Sequence, residues 1–325
     1  MKKVENAQVQ VKSFEEEGKL ITSLRAEINK VIIGQEYMVD RIIMGLLTGG
    51  HILLEGIPGL AKSLTANTVA ETIGIGFKRI QFTPDLLPAD ILGTEIYNQK
   101  TGEFVIKKGP IFTNILLADE INRAPAKVQS ALLEAMQENQ VTIGDVTYRL
   151  DKPFLVIATQ NPIEQQGTYP LPEAQQDRFM LKLKIEYPKR EEEKQIIERF
   201  SKDRVNEPPL RKILSHDTIM QLRNLIDEVY VHENIKNYVL DIIFMTREKN
   251  IYIACGASPR ASISLIKASK CKAFMEGRNF VIPDDVKSVV YDVLRHRILL
   301  SYEAEAEDIT SEDLITQILE KVNLP

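Results

Sequence analysis

Residues 51–63 read His-Ile-Leu-Leu-Glu-Gly-Ile-Pro-Gly-Leu-Ala-Lys-Ser, and this stretch decides the fold. The apolar run 52–54 predicts a buried strand, and the glycines after it predict a turn. Lys62 and Ser63 then open a helical pattern that continues to Thr72. A strand that enters a helix through a glycine-rich turn ending in Lys-Ser has the layout of a phosphate-binding loop, or P-loop.

Each residue type in this loop has a chemical reason. Gly56 and Gly59 allow backbone N–H groups to curl around a β-phosphate at the helix N-terminus. We expect the Lys62 ammonium against the β- and γ-phosphates and the Ser63 hydroxyl on Mg²⁺. Ala61 stands where the motif has its second glycine, and we expect alanine to fit because the position leads into the helix. The alternative is an accidental glycine-rich turn. The residues predicted to contact nucleotide here are Gly56, Ile57, Pro58, Gly59, Leu60, Ala61, Lys62, Ser63 and Leu64.

Two acids follow a second apolar run. Residues 115–118 read Ile-Leu-Leu-Ala and predict a buried strand, after which come Asp119 and Glu120. Doubly wound sheets bind ligands at the carboxyl ends of their strands. Asp119 is therefore predicted to hold Mg²⁺ and Glu120 to activate a water. The alternative is a core strand that ends in solvated acids.

A third buried strand is predicted at 154–158, and Asn161-Pro162 follows it. The Asn161 amide could hydrogen-bond an attacking water or a γ-phosphate. The alternative is a simple Asn-Pro turn.

The rest of the chain predicts an α/β protein. Residues 1–48 read as helix interrupted at Gly34, and residues 51–184 alternate short buried strands with helices. This alternation predicts a three-layer sandwich around a parallel sheet. Two hairpins are predicted within it, at 95–106 around Lys100-Thr101-Gly102 and at 140–150 around Gly144-Asp145. Helical periodicity dominates after Pro188, which predicts domains at 1–188 and 189–325, the second all-α.

Composition excludes several classes of protein. Of 325 residues 44% are apolar and 27% charged, which is typical of a globular chain. The net charge of −5 gives no global basic field for nucleic acid. Cys255 and Cys271 lie too far apart for a CxxC pair, so a zinc site or disulfide scaffold is not expected. The N-terminus lacks a secretory apolar stretch and no 18-residue apolar run occurs, so we expect a cytoplasmic protein without membrane insertion.

The order of these motifs resembles the AAA+ ATPases, and within them the MoxR family. The resemblance spans nearly the whole chain and rests on four segments: Gly56-Ile-Pro-Gly-Leu-Ala-Lys-Ser63, Ala118-Asp-Glu-Ile-Asn-Arg-Ala-Pro125, Ala158-Thr-Gln-Asn-Pro162 and Leu171-Pro-Glu-Ala-Gln-Gln-Asp-Arg-Phe179. It implies a P-loop NTPase fold with a C-terminal helical lid, and alanine at position 61 is usual in that family. The two hairpins are similar to inserts that face the central pore in related rings. Edge ribbons that merely cap the sheet are the alternative.

The resemblance also implies roles for residues outside the P-loop. Residues 31–35 look like the adenine-contacting segment, through Ile33, Gly34 and Gln35. Asn161 would be sensor 1, Arg178 the arginine finger that acts on a neighbouring subunit, and Arg260 sensor 2.

The physics agrees with these roles, because a permanently charged guanidinium can stabilise a transferring phosphoryl group. Ser258 as N-cap with Pro259 at the first helical position would place Arg260 in a first turn, from which it could reach back across the domain cleft.

The alternatives are an ion pair of Arg178 with Asp177 or Glu173 and a surface position for Arg260. Arg123 is a further candidate to reach a neighbour's nucleotide.

The implied cofactors are ATP and Mg²⁺, and the implied assembly is a homo-oligomeric ring, a hexamer. The implied function is remodelling or maturation of a protein client, for which the family's partners with von Willebrand factor A domains are candidates. Three other functions stay open: a nucleotide-gated scaffold with little turnover, a chelatase-like motor subunit and a nucleic-acid motor. The acidic charge balance weighs against the last of these.

Overall fold

The computed structural model describes residues 2–100, 102–162, 168–201 and 209–325. The helices among these residues are α1 (Lys2–Ile28), α2 (Glu36–Thr48), α3 (Lys62–Ile73), α4 (Pro88–Leu92), α5 (Ala126–Glu138), α6 (Glu173–Gln176), α7 (Arg190–Phe200), α8 (His216–Glu228), α9 (Glu233–Met245), α10 (Pro259–Met275), α11 (Pro283–Leu294), α12 (Tyr302–Ala306) and α13 (Ser311–Lys321). The strands are β1 (Ile52–Glu55), β2 (Phe77–Gln81), β3 (Gly93–Asn98), β4 (Glu103–Lys108), β5 (Ile115–Asp119), β6 (Gln140–Ile143), β7 (Val146–Arg149), β8 (Leu155–Gln160), β9 (Leu181–Lys184), β10 (Ile253–Cys255) and β11 (Leu299–Leu300).

The centre of the molecule is a parallel sheet in the order β2-β5-β8-β1-β9. Its inner strands are apolar and buried, whereas every residue of the edge strand β2 is exposed or half-buried. Because all five strands run the same way, their carboxyl ends meet at one edge of the sheet. The three motif-bearing strands β1, β5 and β8 are neighbours, so their loops lie side by side at that edge.

Two hydrophobic cores confirm the three-layer sandwich. Successive strand residues point to opposite faces, so Ile52 and Leu54 pack into one core and Leu53 into the other. The first core continues from the sheet through Ile42 of α2 to Leu265 of α10. The N-terminal helices thereby join the sheet to the C-terminal helices. The predicted domain boundary at 188 falls between the end of β9 and the start of α7.

Both predicted hairpins are confirmed. β3 pairs antiparallel with β4, and β6 pairs antiparallel with β7 around Gly144 at φ +58°. Thr101, in the predicted turn of the first hairpin, lies outside the described residues. The two hairpins differ in burial: Tyr148 packs on the second core, while Tyr97 and Phe104 are 53% and 68% exposed.

The C-terminal region is helical, as predicted, with one small addition. β10 pairs antiparallel with β11 in a two-stranded sheet. Strands of three and two residues are too short to give the period-two pattern by which a strand is recognised in sequence.

Candidate functional site

The P-loop joins β1 to α3 as predicted, and two of its residues take a left-handed backbone. Gly59 has φ +89° and Ala61 has φ +54°. Ala61 is therefore not yet helical; it is the N-cap that precedes the first helical residue, Lys62. A side chain in the left-handed region costs about 1 kcal/mol or more, which explains why the motif has glycine here. Alanine is accommodated at this cost.

The loop forms a cradle of unused donors. In the part of the chain that the structure describes, the backbone N–H groups of residues 59–64 have no protein acceptor. The Lys62 ammonium donates to the Gly56 carbonyl oxygen at 2.6 Å. Burial lowers the pKa of Lys62, and Asp119 and Glu120 act in the opposite direction. N–H groups at a helix N-terminus beside an ammonium are the donor set that a polyphosphate requires, so the residues present fit ATP.

Asp119 is fixed on both carboxylate oxygens. Thr159 Oγ1 donates to Oδ1 at 2.6 Å, and Arg79 Nη2 donates to Oδ2 at 2.6 Å. The Thr159 hydroxyl oxygen also accepts from the Glu120 backbone N–H at 2.9 Å. One threonine at the end of β8 thus aligns both predicted acids at the end of β5.

Glu120 is held by two neighbours. Its backbone is left-handed at φ +56°. Its carboxylate accepts from Gln81 Nε2 at 2.7 Å and pairs with Arg123 Nε at 3.1 Å. Arg79 and Gln81 both come from the edge strand β2, and the sequence did not single out either residue.

These groups enclose a cleft of about 360 Å³, which we call the P-loop cleft. It contains most of the predicted P-loop residues, both acids and the buried Asn161, so the structure brings the predicted phosphate, magnesium and sensor 1 residues together. The cleft is lined by Pro58, Gly59, Leu60, Ala61, Lys62, Ser63, Leu64, Arg79, Asp119, Glu120, Thr159 and Asn161.

The magnesium prediction can be tested against the same cleft. No cluster of three or more His, Cys, Asp or Glu side chains that could hold a metal occurs among the described residues. Ser63 and Asp119 nevertheless share the P-loop cleft. One hydroxyl and one carboxylate fit Mg²⁺, which keeps several waters and takes further oxygens from phosphate.

The predicted adenine segment lies at the same edge of the sheet. Gly34, with φ +71°, and Gln35 line a cavity of about 670 Å³ beside the end of β9. Gln35 Nε2 donates to the Glu186 carbonyl oxygen at 3.4 Å. Gly56 packs against Ile185, where an added Cβ would meet the Ile185 side chain at 3.1 Å. This contact places the cavity next to the P-loop; Ile33 does not line it.

Arg178 and Arg260 do not lie in the P-loop cleft. They line a separate cleft of about 220 Å³ together with Asp177 and Arg297, which we call the arginine cleft. His51, which also lines it, precedes β1, so this cleft lies at the amino edge of the sheet. The strand from His51 to Gly56 spans about 16 Å. Arg260 thus lines the arginine cleft and not the P-loop cleft, and its reach across the domain cleft as sensor 2 stays a prediction.

The local geometry of Arg260 is nevertheless as predicted. Ser258 is the N-cap of α10, its hydroxyl accepts from the Arg260 N–H at 3.2 Å, and Pro259 is the first helical residue. The side chain faces Asp177 Oδ2 at 3.6 Å and is half-exposed. Arg178 is half-buried and makes no ion pair with Asp177 or Glu173 within the described ranges.

No helix in the described part of the chain is both long and apolar enough to cross a membrane.

Comparison with known proteins identifies the family and the fold of the chain. The family described as "ATPase family associated with various cellular activities (AAA)" matches residues 51–181, and "AAA lid domain" matches residues 246–318. Chaperone MoxR1 of Mycobacterium tuberculosis is 49% identical over 307 residues, which cover 92% of this chain and 81% of that protein. Uncharacterized protein YeaC of Bacillus subtilis is 44% identical over 298 residues, 92% of each chain. A crystal structure of a candidate ATPase from Cytophaga hutchinsonii superposes with a TM-score of 0.91 at 50% identity over 100% of both chains.

Proposed function

The chain belongs to the MoxR family of AAA+ ATPases, and on this premise we propose that it hydrolyses Mg²⁺·ATP in a ring of identical subunits to remodel a partner protein. The single observation that carries the proposal is the division of the predicted catalytic residues between opposite edges of one sheet. The P-loop cleft holds the phosphate-binding residues and both acids, while the arginine cleft holds Arg178 and Arg260.

At the P-loop cleft, the chain's own residues bind and activate. The N–H groups of residues 59–64 and the Lys62 ammonium bind the β- and γ-phosphates. Ser63 and Asp119 would hold Mg²⁺, which when bound would supply positive charge to the phosphate oxygens. Glu120 accepts a proton from the water whose oxygen forms the new bond to the γ-phosphorus. The bond between the γ-phosphorus and the β–γ bridging oxygen breaks, and ADP leaves with that oxygen. Asn161 orients the water from the end of β8.

A second subunit completes the site. Arg79 lines the P-loop cleft, but its guanidinium is bound to Asp119. A guanidinium free to act at the γ-phosphate is therefore proposed to come from Arg178 or Arg260, which lie at the far edge of their own sheet. Contact between the arginine cleft of one copy and the P-loop cleft of the next is a head-to-tail interface. A head-to-tail interface closes into a ring when its rotation permits. We propose a hexamer.

The client is a protein. The exposed Tyr97 and Phe104 rings, with centroids 5.3 Å apart, form an aromatic pair on the first hairpin. We propose that this pair contacts client or neighbouring subunits in the pore as nucleotide closes the clefts. The relative from Mycobacterium tuberculosis is called a chaperone, which supports a protein client, and von Willebrand factor A domain proteins are the proposed class. The two free cysteines agree with the proposed cytoplasmic location.

The proposal is tested by measuring Mg²⁺-dependent ATP hydrolysis against protein concentration for the wild type and Glu120→Gln. We expect specific activity to rise with concentration, because each site needs two subunits. Glu120→Gln should bind nucleotide but lose about 10²–10⁴-fold in rate, the usual contribution of a general base. Glu134→Gln, at an exposed glutamate of α5, is the matched control and should keep the wild-type rate. Activity that is independent of concentration and unchanged by Glu120→Gln contradicts the proposal.

A second function, a nucleotide-gated switch with little turnover, has one observation in its favour. Both acids are already engaged by the chain itself, Asp119 by Arg79 and Glu120 by Gln81 and Arg123. A slow rate equal to that of Glu120→Gln, with intact nucleotide binding, would favour the switch. A nucleic-acid motor is disfavoured by the net charge of −5, and stimulation of hydrolysis by DNA would reverse that judgement.

A further inference from the structure

Arg297 is a buried arginine that holds the turn carrying Arg178. Its side chain is only 2% exposed. Nε donates to Asp177 Oδ1 at 2.8 Å, and Nη2 donates to the Phe179 carbonyl oxygen at 2.7 Å and the Asp177 carbonyl oxygen at 3.2 Å. Nη1 donates to the Met180 carbonyl oxygen at 3.1 Å. The guanidinium of Arg297 therefore contacts the residues on both sides of Arg178.

The two residues before Arg297 contact the same segment. His296 Nε2 lies 3.1 Å from the Phe179 carbonyl oxygen, and burial lowers the pKa of His296 well below its usual range, so the neutral ring donates there. Arg295 Nη1 donates to the Lys182 carbonyl oxygen at 2.6 Å. Three consecutive residues that follow α11 thus hydrogen-bond to backbone carbonyl oxygens between Asp177 and Lys182.

Asp177 ties this turn to a second helix of the C-terminal domain. Besides Arg297, its carboxylate accepts from the Ser258 hydroxyl at 3.0 Å and faces Arg260. The turn before β9 is therefore bonded both to the N-cap of α10 and to the residues that follow α11.

Burial of a charge is costly unless it is paired and hydrogen-bonded. A planar guanidinium presents five N–H donors in a fixed fork, and Arg297 uses this fork on a carboxylate and four carbonyls at once, the fourth being that of Val293 in α11. A lysine ammonium has three donors on one nitrogen and cannot reproduce the planar fork. Displacement of the C-terminal helices must carry the turn with them or break these bonds.

We infer that Arg297 is a positioning residue that fixes Arg178 relative to the C-terminal helices and moves it when they move. The inference rests on the proposed role of Arg178 toward a neighbour's ATP. Arg297 itself lies under the turn and acts through Arg178. When nucleotide moves the C-terminal helices of one subunit, the position of its Arg178 relative to the nucleotide site of the neighbouring subunit then changes.

The test uses mixtures of inactive subunits. A Lys62→Ala subunit lacks its own nucleotide site but keeps a finger, and an Arg178→Ala subunit keeps its site but lacks a finger. Arg297→Ala alone should bind a fluorescent ATP analogue with a Kd within about two-fold of wild type, while kcat falls on the order of 10²-fold through misplacement of the finger. Activity should return on mixing with Lys62→Ala and should not return with Arg178→Ala.

Two further variants keep the test decisive. Arg297→Lys retains a buried charge beside Asp177, so it replaces Arg297→Ala if that variant does not fold; we expect a loss of about 10-fold and the same mixing pattern. Arg278→Ala removes another C-terminal ion pair, with the buried Asp285, away from the turn, and should keep the wild-type kcat. If Arg297 served only to stabilise the C-terminal helices, Arg297→Ala and Arg278→Ala should change kcat to a similar extent.

Three results would overturn the inference. A wild-type kcat in Arg297→Ala would show that Arg178 is positioned without Arg297. Rescue by Arg178→Ala, in place of Lys62→Ala, would assign Arg297 to its own subunit's nucleotide site. Failure of the control mixture of Lys62→Ala with Arg178→Ala would refute the proposed function itself, and the inference with it.

Discussion

Arg79 should compete with Mg²⁺ for Asp119. Its Nε and Nη2 donate to Asp119 Oδ2 at 3.0 and 2.6 Å, on the carboxylate that the proposed metal requires. The Arg79 side chain is 50% exposed and that of Asp119 is 15% exposed, so solvent screens the pair and it is worth about 1 kcal/mol. Since 1.4 kcal/mol corresponds to a factor of ten, removal of the arginine should lower the half-saturating Mg²⁺ concentration about five-fold.

The assay is a Mg²⁺ titration of ATP hydrolysis at saturating ATP for the wild type and Arg79→Gln. Lys78→Gln is the matched control, because Lys78 is exposed on the opposite face of β2 and its loss changes the net charge equally. The difference between the wild type and Arg79→Gln should shrink at high salt, where a half-exposed pair is screened. An unchanged or higher Mg²⁺ requirement in Arg79→Gln, or an equal shift in Lys78→Gln, would contradict competition between Arg79 and Mg²⁺ for Asp119.

Two further predictions concern buried titratable groups. Burial lowers the pKa of His51 to about 4, so the folded protein keeps it neutral while the unfolded chain binds a proton below about 6.5. The free energy of unfolding should therefore decrease as the pH is lowered below 6.5, and this group should account for a decrease of about 2 kcal/mol at pH 5. The difference in unfolding free energy between the wild type and His51→Gln, measured by urea denaturation, should become smaller over the same range. A difference that does not change with pH would contradict this. Burial raises the pKa of Cys271 to about 12, whereas Cys255 is exposed. A thiol reagent should label Cys255 in the native protein and Cys271 only after unfolding; equal rates would show that Cys271 is accessible.

The sequence predicted the elements whose signals are local. The apolar runs that became β1, β5 and β8 are four to six residues long and fully or nearly buried, which is the pattern of inner parallel strands. The P-loop follows β1 directly and the two acids lie at the end of β5, so each motif supported the strand prediction beside it and was supported by it. The hairpins carried their own turn residues and were equally visible.

The residues that the sequence missed depend on pairing between distant segments. β2 reads Phe-Lys-Arg-Ile-Gln, too polar to identify as a strand, and it lies at the sheet edge where only half of its residues need be apolar. Arg79 and Gln81 therefore had no recognisable position, although they hold both acids. Thr159 was overlooked beside Asn161, since a buried threonine acquires a role only through its partner Asp119.

The position of Arg260 shows the same limit. Ser258 and Pro259 correctly predicted where α10 begins, because an N-cap depends only on residues that are close in the sequence. Which cleft that helix start faces is decided by how α10 packs on α2, α9 and α11. That packing directs Arg260 toward Asp177, and no local signal in the sequence encodes it.

Whether the site is shared between subunits is decided by mixing Lys62→Ala and Arg178→Ala subunits at varied ratios. If subunits assort randomly around a closed ring, a site-competent subunit meets a finger-competent neighbour in about one quarter of the interfaces of an equal mixture, whatever the ring size. ATP hydrolysis should therefore rise from near zero in each pure variant to about one quarter of the wild-type rate at the equal ratio. Hydrolysis that stays at the level of the pure variants at every ratio would contradict a site shared between subunits.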